Sequence, residues 1–276
     1  MTQYPCLWFD GNAKEAAEFY CSIFDKARIS QSNPMVTRFE VDGQYFMCLN
    51  GGPMFTKNPS ISFYTVCETE EELDAVWEKL MDGGKALMAK DTYPWSKKYG
   101  WVSDKYGTSW QLTLGSISEV GQKFTPLLLF CGANAGKASE AIDLYTSIFH
   151  PSSVVIKVPY PEGQAPEGAI MHSRFLLDKN LFMAMDSYLE HNFSFNEGIS
   201  LVVECDSQVQ IDHFWKKLTE GGEESNCGWL KDKYGISWQI VPAILGKLMS
   251  DPDRSQRVIN AFMKMKKFDV EALMNA

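Results

Sequence analysis

The sequence predicts an α+β fold of two similar modules, built from strand–helix–strand–strand–strand units and followed by a helical tail. An internal repeat indicates the two modules: GWVSDKYGTSWQ at residues 100–111 returns as GWLKDKYGISWQ at 228–239, identical at nine of twelve positions. The same order of predicted elements recurs in both halves, and 276 residues suit two domains of ordinary size. The expected boundaries are 1–115 and 126–243 for the modules, 116–125 for a linker and 244–276 for the tail.

Most elements of the first half have a local physical reason. Apolar residues recur at helical spacing in 13–24, and Asn12 is the predicted N-cap. Asp42-Gly43 joins two strands as a hairpin. A helix at 69–81 begins with three glutamates, which suit the positive end of its dipole, and ends at Gly83-Gly84. The predicted strands are 6–9, 27–30, 36–41, 44–49, 61–67, 86–89 and the hairpin over 100–114.

The second half repeats this order but has different loops. A strand at 127–130, a helix at 138–149 and a strand at 199–205 match their counterparts in the first half. The second half inserts residues 159–168, whereas the first half has the longer connection at 85–99. Because loops over a pocket set its specificity, the two halves are not expected to bind the same ligand equally well.

The tail changes to a helical pattern rich in methionine. Asp251-Pro252-Asp253 is a helix start with proline at an early position, and Asp269 is the predicted cap of a last short helix. The apolar face formed by Val258, Phe262 and Met265 predicts docking of the tail onto a module or a partner chain.

Charge and composition exclude some classes of function. The formal charge of −9 opposes binding to nucleic acid or to an anionic membrane, which need a basic surface. The amino-terminal stretch lacks the pattern of a secretory signal, and no apolar run is long enough to span a bilayer. A cytoplasmic location is therefore expected, and the seven cysteines, none in a C-x-x-C pair, are read as reduced thiols.

Several motifs resemble one known superfamily. They are Trp8-Phe9-Asp10-Gly11-Asn12, the Gly100–Gly107 turn with Trp110, Asp251-Pro252-Asp253-Arg254 and the Met-Lys-Met-Lys-Lys run at 263–267. The chain resembles the vicinal oxygen chelate superfamily, which includes glyoxalase I, extradiol dioxygenases and bleomycin-resistance proteins. It is most similar to the PhnB-like branch, often labelled demethylubiquinone methyltransferase-like. The resemblance implies two glyoxalase-like modules, each a curled mixed-sheet cup with helices on its convex face.

The resemblance also implies where a metal would be held, and those positions lack ligands. An approximate alignment places them at Pro5, Cys48, Ile61 and Gln111 in one module and at Pro126, Ala184, Ile199 and Gln239 in the other. Proline and isoleucine offer no lone pair, and glutamine is a weak substitute for a carboxylate. No metal and no cofactor are therefore expected. The sequence also argues against methyltransferase activity, because the chain has no Gly-x-Gly turn that could bind a nucleotide-type cofactor.

Strand alternation sorts the candidate ligand-binding side chains. Trp101 and Ser103 are expected to face a cup with Gln111, and Phe9 is assigned to the same cup. Phe130, Trp229 and Gln239 are assigned to the second cup, while Trp110 and Trp238 are read as helix-facing core residues.

Each charged candidate residue has two alternative roles. Arg38 and Arg174 share a strand position, where an edge salt bridge is favoured over contact with an anionic or carbonyl group in the cup. Asp104 and Asp232 are read as turn caps rather than as catalytic acids.

These expectations lead to a metal-free protein that binds a flat or apolar small molecule, with sequestration of a compound as one concrete form. The alternative is a lyase or oxygenase of the same superfamily with a non-standard or metal-independent site, for example one that uses Glu40 or Glu68. A third possibility is a structural pair of modules with filled cups. The two modules should form an intramolecular pseudo-dimer, and a homodimer stays open.

Overall fold

The computed structural model describes residues 1–276, and its strands form two mixed eight-stranded sheets. Each half of the chain contains two strand–helix–strand–strand–strand units, which confirms the predicted fold class. In every unit the first strand neighbours the fourth, and the order across the unit is first, fourth, third and second. The repeat in the sequence is therefore a repeat of structure.

The helices and strands have the following bounds. The first half contains β1 (Thr2–Phe9), α1 (Ala13–Ile23), β2 (Arg28–Ser32), β3 (Val36–Val41), β4 (Gln44–Asn50), β5 (Ile61–Cys67), α2 (Glu70–Met81), β6 (Lys85–Tyr93), β7 (Ser96–Ser103) and β8 (Ser109–Leu114), followed by a short helix, α3 (Ile117–Val120). The second half contains β9 (Phe124–Phe130), a 3-10 turn (Gly132–Asn134), α4 (Ala138–Ile148), β10 (Ser152–Pro159), β11 (Ile170–Leu177), β12 (Asn180–Asp186), β13 (Ile199–Cys205), α5 (Gln208–Leu218), β14 (Glu223–Glu224), β15 (Trp229–Lys231) and β16 (Ser237–Pro242). The tail contains α6 (Leu245–Ser250), α7 (Ser255–Phe262) and α8 (Val270–Met274).

Each sheet combines strands from both halves of the sequence. Sheet A has the order β14-β15-β16-β13-β1-β4-β3-β2, and sheet B has the order β10-β11-β12-β9-β5-β8-β7-β6. Sheet B joins the second unit of the first half to the first unit of the second half through antiparallel pairing of β5 with β9. The sequence leaves this exchange of units open, although it decides which side chains share a cup.

Grouping residues whose Cα atoms lie close in space divides the chain into two compact parts. One consists of Met1–Cys6 with Ile199–Ala276, and the other consists of Leu7–Gly198. All eight strands of sheet B belong to the second part.

Trp110 lies at the centre of the apolar layer between sheet and helices in the Leu7–Gly198 part. Its side chain is fully buried, and its ring centroid lies 5.4 Å from that of Tyr20 on α1 and 5.2 Å from that of Phe63 on β5. The indole Nε1 donates a hydrogen bond of 2.9 Å to Asp104. Alternation along β8 predicts this helix-facing position, and the structure confirms it.

Asp104 caps the Asp-Lys-Tyr-Gly turn that the repeat identifies. One carboxylate oxygen accepts the backbone N–H groups of Tyr106 and Thr108 at 2.8 and 2.9 Å, and the other accepts the Tyr20 hydroxyl and the Trp110 indole, both at 2.9 Å. Burial raises the pKa of the Asp104 carboxyl, but its four partners give it a structural role. The turn closes at Gly107, whose φ of +80° favours glycine.

The equivalent Asp232 binds the N–H groups of Tyr234 and Ile236 and the indole of Trp238 in the same way. Turn capping is thus the observed role of both aspartates.

The tail docks within the part formed by Met1–Cys6 and Ile199–Ala276. The N–H groups of Cys227 and Gly228 donate to the carbonyls of Met265 and Lys266 at 2.8 and 2.7 Å, and Phe268 is 1% exposed. Asp269 caps α8 through a 2.9 Å bond from Ala272, as the sequence predicts. No helix is long and apolar enough to cross a membrane.

Two local expectations need refinement. Asn12 is the N-cap residue of α1, as expected, but its side chain makes no capping hydrogen bond, and the Ala13 N–H donates to the side chain of Asn50. The strand expected at 86–89 is longer, since β6 pairs with β7 as far as Tyr93 and Ser96.

Candidate functional site

The face of sheet B opposite its helices carries an apolar cluster, and this face is called the cup below. Its centre is formed by Leu127 and Leu129 on β9 and Met183 on β12, all nearly fully buried. Partly buried Tyr64 and Trp101 pack against them. Three further side chains close the cluster, namely Val120, Met185 and Phe193. The cup therefore combines strands from both halves of the chain within one compact part.

The register places Trp101 and Gln111 directly opposite each other on β7 and β8. Gln111 is also the neighbour of Tyr64 on β5, so the three side chains share the cup face, as strand alternation predicts for Trp101 and Gln111. Ser103 follows Trp101 by two residues on β7 and is half-buried on the same face.

Neutral groups form a hydrogen-bonded chain along this wall of the cup. The Tyr99 hydroxyl donates to Gln111 Oε1 at 2.8 Å, and Gln111 Nε2 donates to Ser62 Oγ at 2.9 Å. The Trp101 indole donates to Ser109 Oγ at 2.6 Å. Burial raises the pKa of both Tyr64 and Tyr99, so the phenols stay neutral at physiological pH. This wall offers aromatic surface and dipoles but no charge.

Arg174 supplies a cation on the other side of the cup. It lies opposite Met183 in the β11–β12 pairing, which places its side chain on the cup face. Its Nη1 donates to the carbonyl of Glu119 at 3.0 Å, and its Nε is shielded from solvent without a hydrogen-bond partner. The edge salt bridge favoured from the sequence is therefore wrong for Arg174, because the strand parity turns it inward.

His172 precedes Arg174 by two residues on the same strand and is half-buried. Burial lowers the pKa of His172, and the positive charge of Arg174 lowers it further. The same charge opposes the rise of the Tyr64 pKa that burial causes. Arg174 thus acts electrostatically on both residues, and the imidazole is neutral at physiological pH.

An aromatic group extends this wall at the hairpin between β6 and β7. The Trp95 ring is stacked on Tyr93 at 5.0 Å and meets Tyr99 edge-on at 5.7 Å. Trp95 is 60% exposed, so its indole is open to solvent beside a buried tyrosine of the cup wall. The second half has only the two-residue β14 at the matching place, and this group has no counterpart there.

The structure corrects the placement of the two phenylalanines. Phe130 has the opposite parity to Leu127 and Leu129 on β9, so it faces away from the cup and packs edge-on against Phe195 at 5.1 Å. Phe9 belongs to β1 in sheet A rather than to the sheet of Trp101. The period of a strand is two, so an error of one residue moves a side chain to the other face.

Phe9 is buried on the side of α1, where its ring meets Tyr106 of the turn at 6.0 Å. The ammonium of Lys57 lies 3.8 Å from the Phe9 ring centroid, a cation–π contact. Phe9, Lys57 and Tyr106 also line a separate cavity of about 210 Å³.

The remaining candidates lie in sheet A. Trp229 stands opposite Gln239, repeating the pair on β7 and β8, and Gln239 Nε2 donates to Ser200 Oγ at 2.9 Å. Arg38 lies on β3 opposite Met47 and is half-buried. The structure does not bring these residues into the cup of sheet B.

The donor set around the cup does not fit a metal ion. Ile61, Pro126 and Ala184 lie on the face of the sheet opposite to Gln111. Ile61 and Ala184 both align with Leu128, and Pro126 lies two residues before Leu128 on the same strand, so all three share its face. Their inward neighbours are a serine, a leucine and methionines. The chain holds no cluster of three His, Cys, Asp or Glu side chains that could bind a metal.

Sequence reasoning missed Tyr64, Leu127, Met183, His172 and Trp95 as residues of the cup or its rim. Tyr64 was detectable, since it pairs with Gln111 once β5 and β8 are taken as neighbours. The others depend on the exchange of units between the two halves, which leaves no local signal.

Comparison with known structures identifies the class of fold. Glyoxalase I from Zea mays matches with a TM-score of 0.60 at 10% identity, covering 91% of this chain and 97% of that one. The PhnB protein from Bacillus cereus is 43% identical over 41% of this chain and 98% of its own, with a TM-score of 0.38. A glyoxalase-related enzyme from Fulvimarina pelagi is 16% identical over 42% of this chain and 89% of its own, with a TM-score of 0.34. The likeness to glyoxalase I shows that the fold is glyoxalase-like.

The family follows from the sequence itself. The profile described as 3-demethylubiquinone-9 3-methyltransferase matches twice, over residues 2–113 and 122–241. The chain belongs to this family and carries its unit in two tandem copies. No curated protein matches the chain.

Proposed function

We propose that the protein binds a small, flat, largely apolar molecule in the cup of sheet B, without a metal ion. The observation that supports this most directly is the juxtaposition of Trp101, Tyr64 and Gln111 beside a leucine and methionine cluster. Aromatic rings provide a rigid apolar surface, and a few dipoles fix orientation, which is the usual composition of a small-molecule site. Sequestration of a compound is the form of binding we propose.

The composition of the cup supports binding that does not rely on a metal. Gln111 stands at a position from which metal-using relatives would present a ligand, and its amide is hydrogen-bonded to Tyr99 and Ser62. Binding would then depend on burial of the ligand and on contacts with the aromatic wall.

Methyl transfer, which the family's description names, is not part of this proposal. The sequence has no Gly-x-Gly turn to cradle the cofactor of the usual nucleotide-fold methyltransferases. The hydrogen bonds among Tyr99, Gln111 and Ser62 join no nucleophile to a base.

The test compares two tryptophans that lie nine residues apart on opposite faces of the sheet. In a thermal-shift screen of aromatic compounds, Trp101→Ala should abolish the stabilisation by hits and should lower the melting temperature of the free protein less than Trp110→Ala does. Trp110→Ala should lower the free energy of unfolding by about 3–5 kcal/mol, because it empties a fully buried site. Titration of hits against both variants and metal analysis after dialysis complete the measurement.

Two outcomes would contradict the proposed function. One is a hit series whose binding survives Trp101→Ala unchanged in a folded variant. The other is a stoichiometric divalent ion that resists dialysis and is required for ligand binding.

A further inference from the structure

Arg174 is a cation in surroundings that do not neutralise it. Its guanidinium makes one hydrogen bond, to the neutral carbonyl of Glu119, and its Nε has no partner although solvent does not reach it. The strand neighbours on the cup face, Met183 and His172, carry no negative charge. Arg174 as a whole is half-buried, and its shielded Nε–H without an acceptor is costly, so an anionic group of a ligand that accepts from it would offset that cost.

The carboxylates of Asp186 and Glu119 do not pair with Arg174. Asp186 ends β12 but is fully buried on the opposite face, where it accepts the N–H groups of Gly136, Ala138 and Ile170. Glu119 contributes its backbone carbonyl to Arg174, not its carboxylate. The Arg174 charge therefore remains available toward the cup.

The aromatic wall of the cup indicates the chemical nature of the rest of the ligand. Trp101 and Tyr64 present ring surfaces, and the polar groups of Tyr99, Gln111 and Ser62 are joined in one neutral chain. No cation or carboxylate belongs to this wall, so it suits an uncharged planar body. A guanidinium recognises a carboxylate by two parallel hydrogen bonds, and Nε with one terminal nitrogen is the usual donor pair.

We propose that the ligand of the sheet B cup is a planar aromatic anion, with its carboxylate or equivalent acidic group on Arg174 and its ring against Trp101. The inference rests on the proposed function and names its ligand class. The ring lies toward the neutral wall, and the anionic group accepts from the unpartnered Nε.

The test uses pairs of probes that differ only in charge, 2-naphthoate with 2-naphthamide and benzoate with benzamide. Binding to the full chain is measured by isothermal titration at low salt. The carboxylate of each pair should bind more tightly than its amide by about tenfold. In Arg174→Gln this preference should vanish while amide binding stays, and Arg174→Lys should keep part of it. Arg38→Gln is the matched control, since Arg38 holds the same repeat position in sheet A, and it should keep the full preference.

The outcomes separate the two proposals. Equal binding of amides and carboxylates to the parent protein, or a preference that survives in folded Arg174→Gln, overturns the inference and leaves small-molecule binding standing. Failure of both members of each pair to bind counts against the proposed function itself. Melting curves of all variants establish that they are folded.

Discussion

At the scale of single residues, parity along a strand decides on which face of the sheet a side chain lies. Trp101 and Trp110 are both tryptophans of one hairpin, yet one lies in the cup and the other is the centre of the core. Arg174 follows the same rule, because its place opposite Met183 turns it inward. A residue type that suggests catalysis or a surface ion pair has to be read together with the face on which it lies.

Asp104 provides the first prediction at this scale. Asp104→Ala leaves the N–H groups of Tyr106 and Thr108, the Tyr20 hydroxyl and the Trp110 indole without their acceptor. The free energy of unfolding should fall by about 3–5 kcal/mol, since several buried donors lose a charged partner at once. Urea unfolding followed by tryptophan fluorescence measures the change.

Two further variants provide a comparison and a control for this result. Asp232→Ala should cost a similar amount, because the bonds of Asp232 to Tyr234, Ile236 and Trp238 repeat three of those of Asp104. Asp91→Ala, at an exposed position where the side chain binds only Thr92, should stay within about 0.5 kcal/mol of the parent. Parent-like stability of Asp104→Ala would contradict the structural role of the turn.

At the scale of elements, the tail covers the sheet edge at β15, as the strand β6 covers the edge of β7 in the first half. β6 pairs with β7 in the first half, whereas β14 covers only two residues of β15. The tail carbonyls of Met265 and Lys266 accept the N–H groups just before β15. Covering this edge removes unpaired backbone groups that would otherwise invite another strand.

Phe268 gives the prediction for the tail. It is 1% exposed and lies so close to Gly228 that a Cβ there would stand 2.5 Å from its ring. Phe268→Ala should lower the free energy of unfolding by about 3–5 kcal/mol through loss of burial and a cavity. Met263→Ala, at a tail position that is 61% exposed, is the control and should change it little. Equal stability of the two variants would mean that the tail contributes no packing.

At the scale of the whole molecule, neither half of the sequence can complete a sheet. Sheets A and B each take four strands from residues before Gly121 and four from residues after it. A chain made only of the first half would expose β1 and β5 as unpaired edges, and such edges recruit other strands.

The corresponding prediction concerns a chain cut between Gly121 and Gln122. Fragments 1–121 and 122–276, expressed together, should copurify as a 1:1 complex with the spectrum of the intact protein, because the cut breaks no strand. Each fragment alone should self-associate or aggregate. Size-exclusion chromatography with light scattering measures both. If both fragments are folded and monomeric and do not associate with each other, the sheets do not combine strands from the two halves.

The sequence alone determined the α+β class, the twofold repetition, the turn role of Asp104 and the helix-facing place of Trp110. These features depend on interactions within a few tens of residues, so periodicity and turn chemistry are sufficient to find them. Only the tertiary structure decided that Trp101 and Gln111 share a cup with Arg174 and not with Phe9. The reason is that equivalent units can pair within one half or between halves with the same local patterns, so the choice lies in long-range pairing of β5 with β9.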